Sequence, residues 1–315
     1  MRLLHPDEQL PSETGSAVTI GNFDGPHRGH IWLLRKLRQA ADSQDLRTAL
    51  VTFDPHPLQV LRPVAAPKML TDTAQRIQRL AVTGLVDICQ VLPFDQERSR
   101  QSPEQFVEEE LVDRLQIRAL MVGANFRFGH RRSGDIATLR RLGERHGFTV
   151  TALPLLTAGL STPPRTCCST YLRLLVAEGQ VERAAMYLER PHEVSGRVVA
   201  TSRPGPGRGT PIVVVRVPAS RAVPTEGSYF GSIQAVDGRE RAAGISVRPG
   251  TVTGQDPLLD LHVTDMVQDL MDHTVIVSFR RRTWSSSPSE LLQQVNEHDA
   301  VAGDASAAGG WGSMI

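Results

Sequence analysis

The stretch "GNFDGPHRGH", residues 21–30, holds the residue types best suited to chemistry in this chain. His27 and His30 are three positions apart, so in the first turn of a helix their side chains share a face. Two imidazoles side by side can donate hydrogen bonds to charge that develops on a reacting phosphate, and Gly29 leaves room for a phosphate compound to approach the backbone. The spacing predicts phosphate chemistry by electrostatic stabilisation, against the alternative of a turn with two incidental surface histidines.

The residues on either side indicate how this stretch is positioned. The segment "AVTI" predicts a buried strand, and "HIWLLRKLRQAA" predicts an amphipathic helix that starts near His30. In a parallel sheet, ligands bind at the carboxyl ends of strands, where a helix N-terminus offers free N–H groups to phosphate. The stretch lacks the GK[ST] ending of a P-loop and the spaced GxGxxG of a dinucleotide-binding fold. It therefore predicts a phosphate site of another kind.

Strands and helices alternate from Ser16 to about Val150. The predicted strands are "AVTIGNF", "RTALVTF", "VDICQVLPF", "IRALMVGANF" and "FTVTALPLL". The predicted helices are "HIWLLRKLRQAA", "TAQRIQRLAVTG", "SPEQFVEEELVDRL" and "SGDIATLRRLGERHG". Strict alternation predicts an α/β domain with a parallel, doubly wound, Rossmann-like sheet.

The pattern changes at Val194. Short alternating segments such as "PIVVVRVP", "GSYFGSIQAV" and "HTVIVSF" predict an antiparallel β-barrel, and "SPSELLQQVNEH" predicts one C-terminal helix. The Gly- and Ala-rich tail at 301–315 is expected to be disordered. The predicted domains are 1–185, 186–300 and this tail.

Composition narrows the class of protein. At 315 residues, with 40% hydrophobic and 22% charged residues, the chain is long enough for two globular cores. A net charge of +1 gives no reason to expect a nucleic-acid or membrane partner, so a small-molecule substrate is expected. The N-terminus has no signal-peptide pattern, and no run of about 18 apolar residues occurs. Cys89, Cys167 and Cys168 form no CxxC pair, which favours a cytoplasmic protein, and Cys167 and Cys168 are expected to be packing residues.

Five ordered blocks resemble one family. The HxGH within "GNFDGPHRGH" is the signature of the nucleotidylyltransferase superfamily, and "TFDPHP", "VGANFRFGHRRSGD", "STYLR" and "ERPHEVSGRVV" follow in the same order. Together they resemble the bacterial bifunctional riboflavin kinase/FMN adenylyltransferases, also called FAD synthetases. The resemblance implies a nucleotidylyltransferase domain followed by a riboflavin-kinase-like barrel. It also implies ATP and FMN as substrates and Mg²⁺ as cofactor.

The resemblance assigns roles to particular residues. His27, His30 and Arg173 are the implied catalytic residues. The nucleotide is expected to contact a longer set, Gly21, Asn22, Phe23, Asp24, Gly29, Ser169 and Thr170. The flavin and adenine side is expected to involve Asp54, His56, Gly123, Asn125, Phe126 and Phe128.

Each of the later blocks has a plainer interpretation. "FDPHP" could be only a rigid loop bounded by prolines, "NFRFGHRRSGD" an ordinary basic loop, and "STYLR" a helix N-cap with a surface arginine. Two positions also depart from the family pattern. Asn125 stands where relatives often have Asp. Thr166, preceded by Arg165, stands where they usually have an arginine, which predicts altered or weaker triphosphate binding.

The barrel departs further from the family pattern. Relatives carry a Pro-Thr-Ala-Asn segment whose threonine and asparagine hold Mg²⁺ and ATP phosphate. A count without gaps places that segment on residues 211–214, so Ile212 and Val214 replace the two polar side chains. Asp260 aligns with the glutamate base of the family, and Arg248 and Pro249 remain from another motif. The sequence predicts a barrel that folds but has lost its phosphoryl-transfer site.

The predicted function is transfer of AMP from ATP to FMN, giving FAD and pyrophosphate. Three alternatives stay open: a nucleotidylyltransferase acting on another phosphorylated acceptor, a fully bifunctional enzyme, and a flavin-binding protein without turnover. The sequence leaves the oligomeric state and the preference for ATP over CTP open.

Overall fold

The structure, a computed structural model, describes residues 1–5, 8–11, 15–158, 165–202, 210–235, 238–248, 250, 254–263 and 270–283. The predicted C-terminal helix at 287–298 and the tail at 301–315 lie outside these residues. The chain divides into two compact units. The first comprises Met1–Pro67 and Asp72–Ser169, and the second comprises Lys68–Thr71 and the chain from Thr170 onward.

A six-stranded sheet with all neighbours parallel forms the first unit. Its strands are β1 Arg2–Leu4, β2 Ser16–Ile20, β3 Arg47–Asp54, β4 Ile88–Pro93, β5 Ile117–Gly123 and β6 Thr149–Leu153. The spatial order is β1-β4-β3-β2-β5-β6. Because β3 and β5 lie on opposite sides of β2, the strand order reverses at the carboxyl end of β2. This switch point is where ligands bind in doubly wound sheets.

Helices cover both faces of the sheet. They are α1 Arg28–Asp42, α3 Thr73–Ala81, α4 Pro103–Phe106 and α5 Ile136–His146, whereas the short α2 Pro57–Leu61 has no buried residue. The segment Val107–Arg114 continues α4 as a π-helix.

Alternate strand residues supply two separate cores, as the two-residue side-chain period of a strand requires. Ala17 and Leu50 pack with Leu34 and Leu37 of α1 on one face. On the other face Val18, Ile20 and Val51 pack with side chains of the π-helix and α5, including Leu111 and Leu139. All five residues of β2 are buried. The predicted doubly wound α/β domain is therefore confirmed.

Among its described residues, the second unit contains two helices and a closed barrel. The helices are α6 Ser169–Ala177, whose first residue still belongs to the first unit, and α7 Val181–Leu188. The barrel strands are β9 His192–Ser202, β10 Ile212–Arg216, β11 Gly227–Gln234, β12 Glu240–Arg248, β13 Leu258–Val263 and β14 Thr274–Thr283. They pair antiparallel in the closed order β10-β13-β12-β11-β14-β9. The predicted antiparallel barrel is confirmed.

Several elements differ from the sequence-based predictions. The edge strand β1, the short helix α2 and the two-stranded hairpin of β7 Thr157–Ala158 and β8 Arg165–Thr166 were not predicted. These elements are two to five residues long, too short for a periodic hydrophobic pattern. The division at Ser169 groups α6 and α7 with the barrel, whereas the limits 1–185 and 186–300 remain a prediction about sequence domains.

No helix among the residues placed by the structure is long and apolar enough to cross a membrane.

Candidate active site

The chain leaves β2 through a tight turn at residues 21–25. Phe23 adopts a left-handed backbone conformation with φ of 47°, and its ring is buried. Gly21 makes room for that ring, because a Cβ at Gly21 would lie 3.1 Å from the Cε2 atom of Phe23. Gly25 follows with φ of 57°, a value that glycine adopts without strain. The turn thus buries the Phe23 ring next to the residues that follow it in the chain.

The two histidines stack at the start of α1. His27 is the N-cap residue, and the helix begins at Arg28, two residues before the predicted start. The ring centroids of His27 and His30 are 3.7 Å apart, with an angle of 21° between the planes. The Phe23 ring centroid lies 4.8 Å from that of His30. The structure therefore brings both predicted histidines together at the switch point of the sheet, on the N-terminus of a helix that offers partial positive charge to phosphate.

The segment before α6 contacts the same turn. Cys167 Sγ lies 3.5 Å from Nδ1 of His27, and the Ser169 hydroxyl donates to the carbonyl oxygen of Asp24 at 2.8 Å. An ideal Cβ on Gly29 would lie 2.9 Å from the Cys167 carbonyl oxygen and 3.1 Å from Cε1 of His27. Gly29 is thus required by close approach of the protein's own backbone. The sequence predicted room for a ligand there and missed the contact with Cys167.

Arg76 of α3 is a further residue that sequence reasoning missed. This buried arginine donates to the carbonyl oxygens of Asn22 at 2.9 Å and Phe53 at 3.0 Å. The Thr52 hydroxyl also donates to the Asn22 oxygen, at 3.1 Å. Arg76 therefore joins the turn after β2 to the end of β3. A charged residue on the buried face of a predicted helix is the signal that could have found it.

His56 and Asp54 follow β3. His56 is the N-cap of α2, and the Leu58 N–H donates to its Nδ1 at 3.2 Å. Its Nε2 lies 3.1 Å from Nδ2 of Asn22. With Nδ1 accepting the Leu58 N–H, the proton is on Nε2, and a hydrogen bond to Asn22 then requires the amide to be turned so that its oxygen accepts. Asp54 is exposed. His56 thus contacts the turn after β2 through Asn22.

The loop after β5 carries aromatic rings. The rings of Phe126 and Phe128 stack with centroids 5.6 Å apart, and Phe106 lies 5.9 Å from Phe128. Phe128 is buried, Phe126 is half-buried, and Asn125 is exposed two residues after Gly123. β5 neighbours β2, so this loop and the histidine turn both leave the sheet at adjacent carboxyl ends.

Asp135 ends that loop as the N-cap of α5. Its carboxylate accepts the Thr138 N–H at 2.9 Å and lies 3.3 Å from Arg127. The Thr138 N–H bond, more than the arginine, holds the pKa of Asp135 below its ordinary value. Asp135 is therefore a charged anchor for the loop.

The "STYLR" block forms the first turns of α6. Ser169, Thr170 and Arg173 all lie in this helix, with Arg173 half-buried and Thr170 exposed. The Ser169 hydroxyl hydrogen is directed to the Asp24 carbonyl, so its oxygen can accept but its donor is engaged. Thr166 and Arg165, where the family pattern differs, pair with Thr157 and Ala158 in the β7–β8 hairpin.

All three cysteines are free. Burial raises the pKa of the Cys89 thiol to about 11, which suits a packing residue and not a nucleophile.

The register of the barrel places the residues that the sequence count assigns to the kinase segment on one face. Val213 and Val215 point into the core, so Ile212 and Val214 point outward and are half-buried. Asp260 pairs across from Val214, and His262 pairs across from Ile212. The Arg248 guanidinium binds both carboxylate oxygens of Asp260, with Nε–Oδ2 and Nη2–Oδ1 distances of 2.6 Å. The hydrogen bond to Asp260 raises the pKa of Arg248. Burial lowers the pKa of His262.

No cluster of three or more His, Cys, Asp or Glu side chains suited to a metal occurs within the described part of the chain. Mg²⁺ takes one or two carboxylates together with substrate phosphates and water, and it rarely needs an all-protein cage.

Comparison with known proteins identifies the class. Residues 9–162 match the family model described as FAD synthetase, and residues 188–303 match the model described as riboflavin kinase. A bifunctional riboflavin kinase/FMN adenylyltransferase of Escherichia coli K12 is 32% identical over 96% of this chain and 96% of its own length. The enzyme of the same title from Pseudomonas fluorescens is 35% identical over 86% of each chain.

A solved structure titled "Macrolide-efflux Protein from Streptococcus pneumoniae" has a TM-score of 0.72 and 23% identity, covering 94% of this chain and 95% of that one. That similarity concerns the fold alone. The fold and its histidine turn define a nucleotidylyltransferase-type α/β domain joined to a flavokinase-type barrel. The chain belongs to the bifunctional riboflavin kinase/FMN adenylyltransferase family.

Proposed function

We propose that this chain transfers AMP from ATP to FMN, giving FAD and pyrophosphate. The observation that carries the proposal is the stacked pair of His27 and His30 at the switch point of the sheet. An FMN phosphate oxygen attacks the α-phosphorus of ATP, the new P–O bond forms, and the bond to the bridging oxygen of pyrophosphate breaks. His27 and His30 donate hydrogen bonds to the oxygens that gain charge in this step.

The other residues of the proposed site bind and orient the substrates. The turn at 21–24 and the N-terminus of α1 present backbone N–H groups to phosphate. Ser169, Thr170 and Arg173 hold the triphosphate, and Phe126 and Phe128 form the apolar side for the flavin and adenine rings. Mg²⁺, when bound with ATP, would neutralise part of the charge of the phosphates.

Product analysis tests the proposal directly. Purified protein is incubated with ATP or CTP, each with FMN, riboflavin or no acceptor, and the products are separated by chromatography. We expect FAD from ATP with FMN alone. A nucleotidyl product from CTP with FMN would mean that the nucleotide donor is not ATP alone. No product with FMN from either nucleotide would favour transfer to another phosphorylated acceptor. FMN binding without product would favour a flavin-binding protein.

We also propose that the barrel has lost riboflavin kinase activity. Outward-facing Ile212 and Val214 support this, since neither side chain can ligate magnesium, and Arg248 occupies both oxygens of Asp260. The match to the riboflavin kinase model and the titles of the relatives support the alternative, a fully bifunctional enzyme.

We further propose a cytoplasmic location. The three cysteines of the chain are free, as is usual for proteins of a reducing compartment.

Gly29→Ala is expected to lower the turnover number for FAD formation by about tenfold or more. The new methyl group would meet the Cys167 carbonyl and the His27 ring, so the ring must move, and overpacking of this kind costs about 1–3 kcal/mol. Steady-state kinetics with ATP and FMN measures the effect, and the melting temperature shows whether the fold survives. Full turnover in the alanine variant would show that the histidine geometry tolerates displacement.

Arg173→Ala is expected to raise the KM for ATP by roughly tenfold or more, and the KM for FMN much less, because a guanidinium clamp acts on the triphosphate. Arg173→Lys should recover part of the loss, since an ammonium lacks the planar fork. The matched control is Arg183→Ala, an exposed arginine of α7 that bonds Gln180 and Tyr171. Equal rises in both KM values would make Arg173 a structural residue.

A further inference from the structure

We propose that Cys167 is a positioning residue that sets the tautomer of His27. The inference rests on the proposed function for its kinetic consequence, while its structural content concerns the thiol and the imidazole alone. The starting observation is the 3.5 Å separation between Cys167 Sγ and His27 Nδ1, with both side chains buried.

The contact permits two directions of donation: the thiol can donate to Nδ1, or an Nδ1–H can donate to the sulfur, and the ring tautomer decides which. A neutral imidazole has one N–H and one bare nitrogen, and a thiol is a weak donor. When the Cys167 thiol donates to Nδ1, the ring proton must lie on Nε2. Nε2 can then donate to a phosphate oxygen, which is the role the reaction requires of His27. The opposite tautomer would present a lone pair to the phosphate and repel it.

The backbone holds the sulfur in place. The Cys167 N–H donates to the Leu156 carbonyl oxygen at 2.9 Å, and two residues later the Ser169 hydroxyl donates to the Asp24 carbonyl oxygen. Between these bonds, the Cys167 carbonyl lies against Gly29. The segment is therefore fastened on both sides of the thiol, and the His27 ring receives a fixed partner from a part of the chain 140 residues away.

The alternative role for Cys167 is to fill space in the core without donating a hydrogen bond. A packing residue is replaced well by valine, which fills the space without a donor, and poorly by the smaller, more polar serine. A positioning donor shows the reverse order, because serine keeps a hydroxyl hydrogen and valine has none. The two substitutions therefore separate the two roles.

Kinetics supplies the first measurement. Cys167→Val is expected to lower kcat for FAD formation by about tenfold to a hundredfold, which is the loss typical when a group that orients a functional histidine is removed. The KM for ATP should change less than about twofold. Cys167→Ser should retain kcat within about fivefold. Cys168→Val is the matched control, because the structure gives no hydrogen bond between its thiol and His27, and it should leave kcat unchanged. Full kcat in Cys167→Val, or a larger loss in the serine variant than in the valine variant, would overturn the proposal.

The second measurement needs no turnover. Nitrogen-15 NMR of the histidine rings, with the His27 signals assigned by their loss in His27→Gln, reports which nitrogen carries the proton. We expect Nε2–H at His27 in the wild-type protein and in Cys167→Ser, and a shift toward Nδ1–H in Cys167→Val. A wild-type His27 protonated at Nδ1, as the other tautomer or as imidazolium, overturns the proposal even if the valine variant does not fold. The expected tautomers in a protein that makes no FAD would refute the proposed function and support the role of Cys167.

Discussion

His30→Ala is expected to lower the turnover number for FAD formation by about two to three orders of magnitude. In the first turn of α1, His30 stacks on His27 and lies against the Phe23 ring, so its imidazole is held in one place before substrate arrives. Donors that are organised in advance stabilise the charge on the reacting phosphate without further reorganisation. Single-turnover kinetics with ATP and FMN measures the loss at the chemical step.

The control for this substitution is His5→Ala, because His5 is an exposed histidine of the same unit. It should leave turnover unchanged. Circular dichroism and the melting temperature establish that His30→Ala is folded. A folded variant with turnover near the wild-type value would remove His30 from the catalytic step and, with it, the argument from the stacked pair.

Local spacing was enough to predict the histidine pair. Residues three apart at a helix start share a face whatever surrounds them, and β2 was evident because five consecutive residues are suited to burial. The parallel sheet and the antiparallel barrel followed from the same short-range periodicities. These features depend on a few residues that are adjacent in sequence, so a single chain is sufficient to reveal them.

Contacts between distant segments could not be predicted in this way. Cys167 bonds His27 across 140 residues. Arg76 lies on the buried face of its helix, but the sequence does not show that it bonds the turn after β2 and the end of β3. The left-handed conformation of Phe23 and the π-helix at Val107–Arg114 likewise depend on tertiary packing. The residue types of the site could therefore be predicted from the sequence, whereas the groups that hold them in place could not.

The barrel shows how strand register adds to a sequence count. Alignment without gaps placed the altered segment on residues 211–214 but could not say which side chains face together. The pairing of β10 with β13 puts Val214 across from Asp260, and Ile212 across from His262, on the outer face. The two residues that the count assigns to the magnesium ligands of the family therefore lie beside Asp260, the residue that it aligns with the base of the family.

No riboflavin kinase activity above background is expected from the full-length protein. Phosphorylation of riboflavin needs magnesium bridging the ATP phosphates and a free base near the acceptor hydroxyl. Ile212 and Val214 offer no oxygen to the metal, and Asp260 must release Arg248 before either oxygen can accept a proton. The measurement is incubation with riboflavin, ATP and Mg²⁺, followed by chromatography for FMN and FAD, with FMN in place of riboflavin as the positive control for the adenylyltransferase domain.

Restoring the metal ligands tests how much of the site has changed. The double variant Ile212→Thr with Val214→Asn should still form no FMN, because catalytic groups act as a unit and the pairing of Asp260 with Arg248 remains. Recovery by this variant alone would mean that magnesium binding was the single missing element. Robust FMN or FAD formation from riboflavin by the wild-type protein would mean that the count without gaps misplaced the segment. The phosphoryl-transfer groups would then lie elsewhere in the barrel.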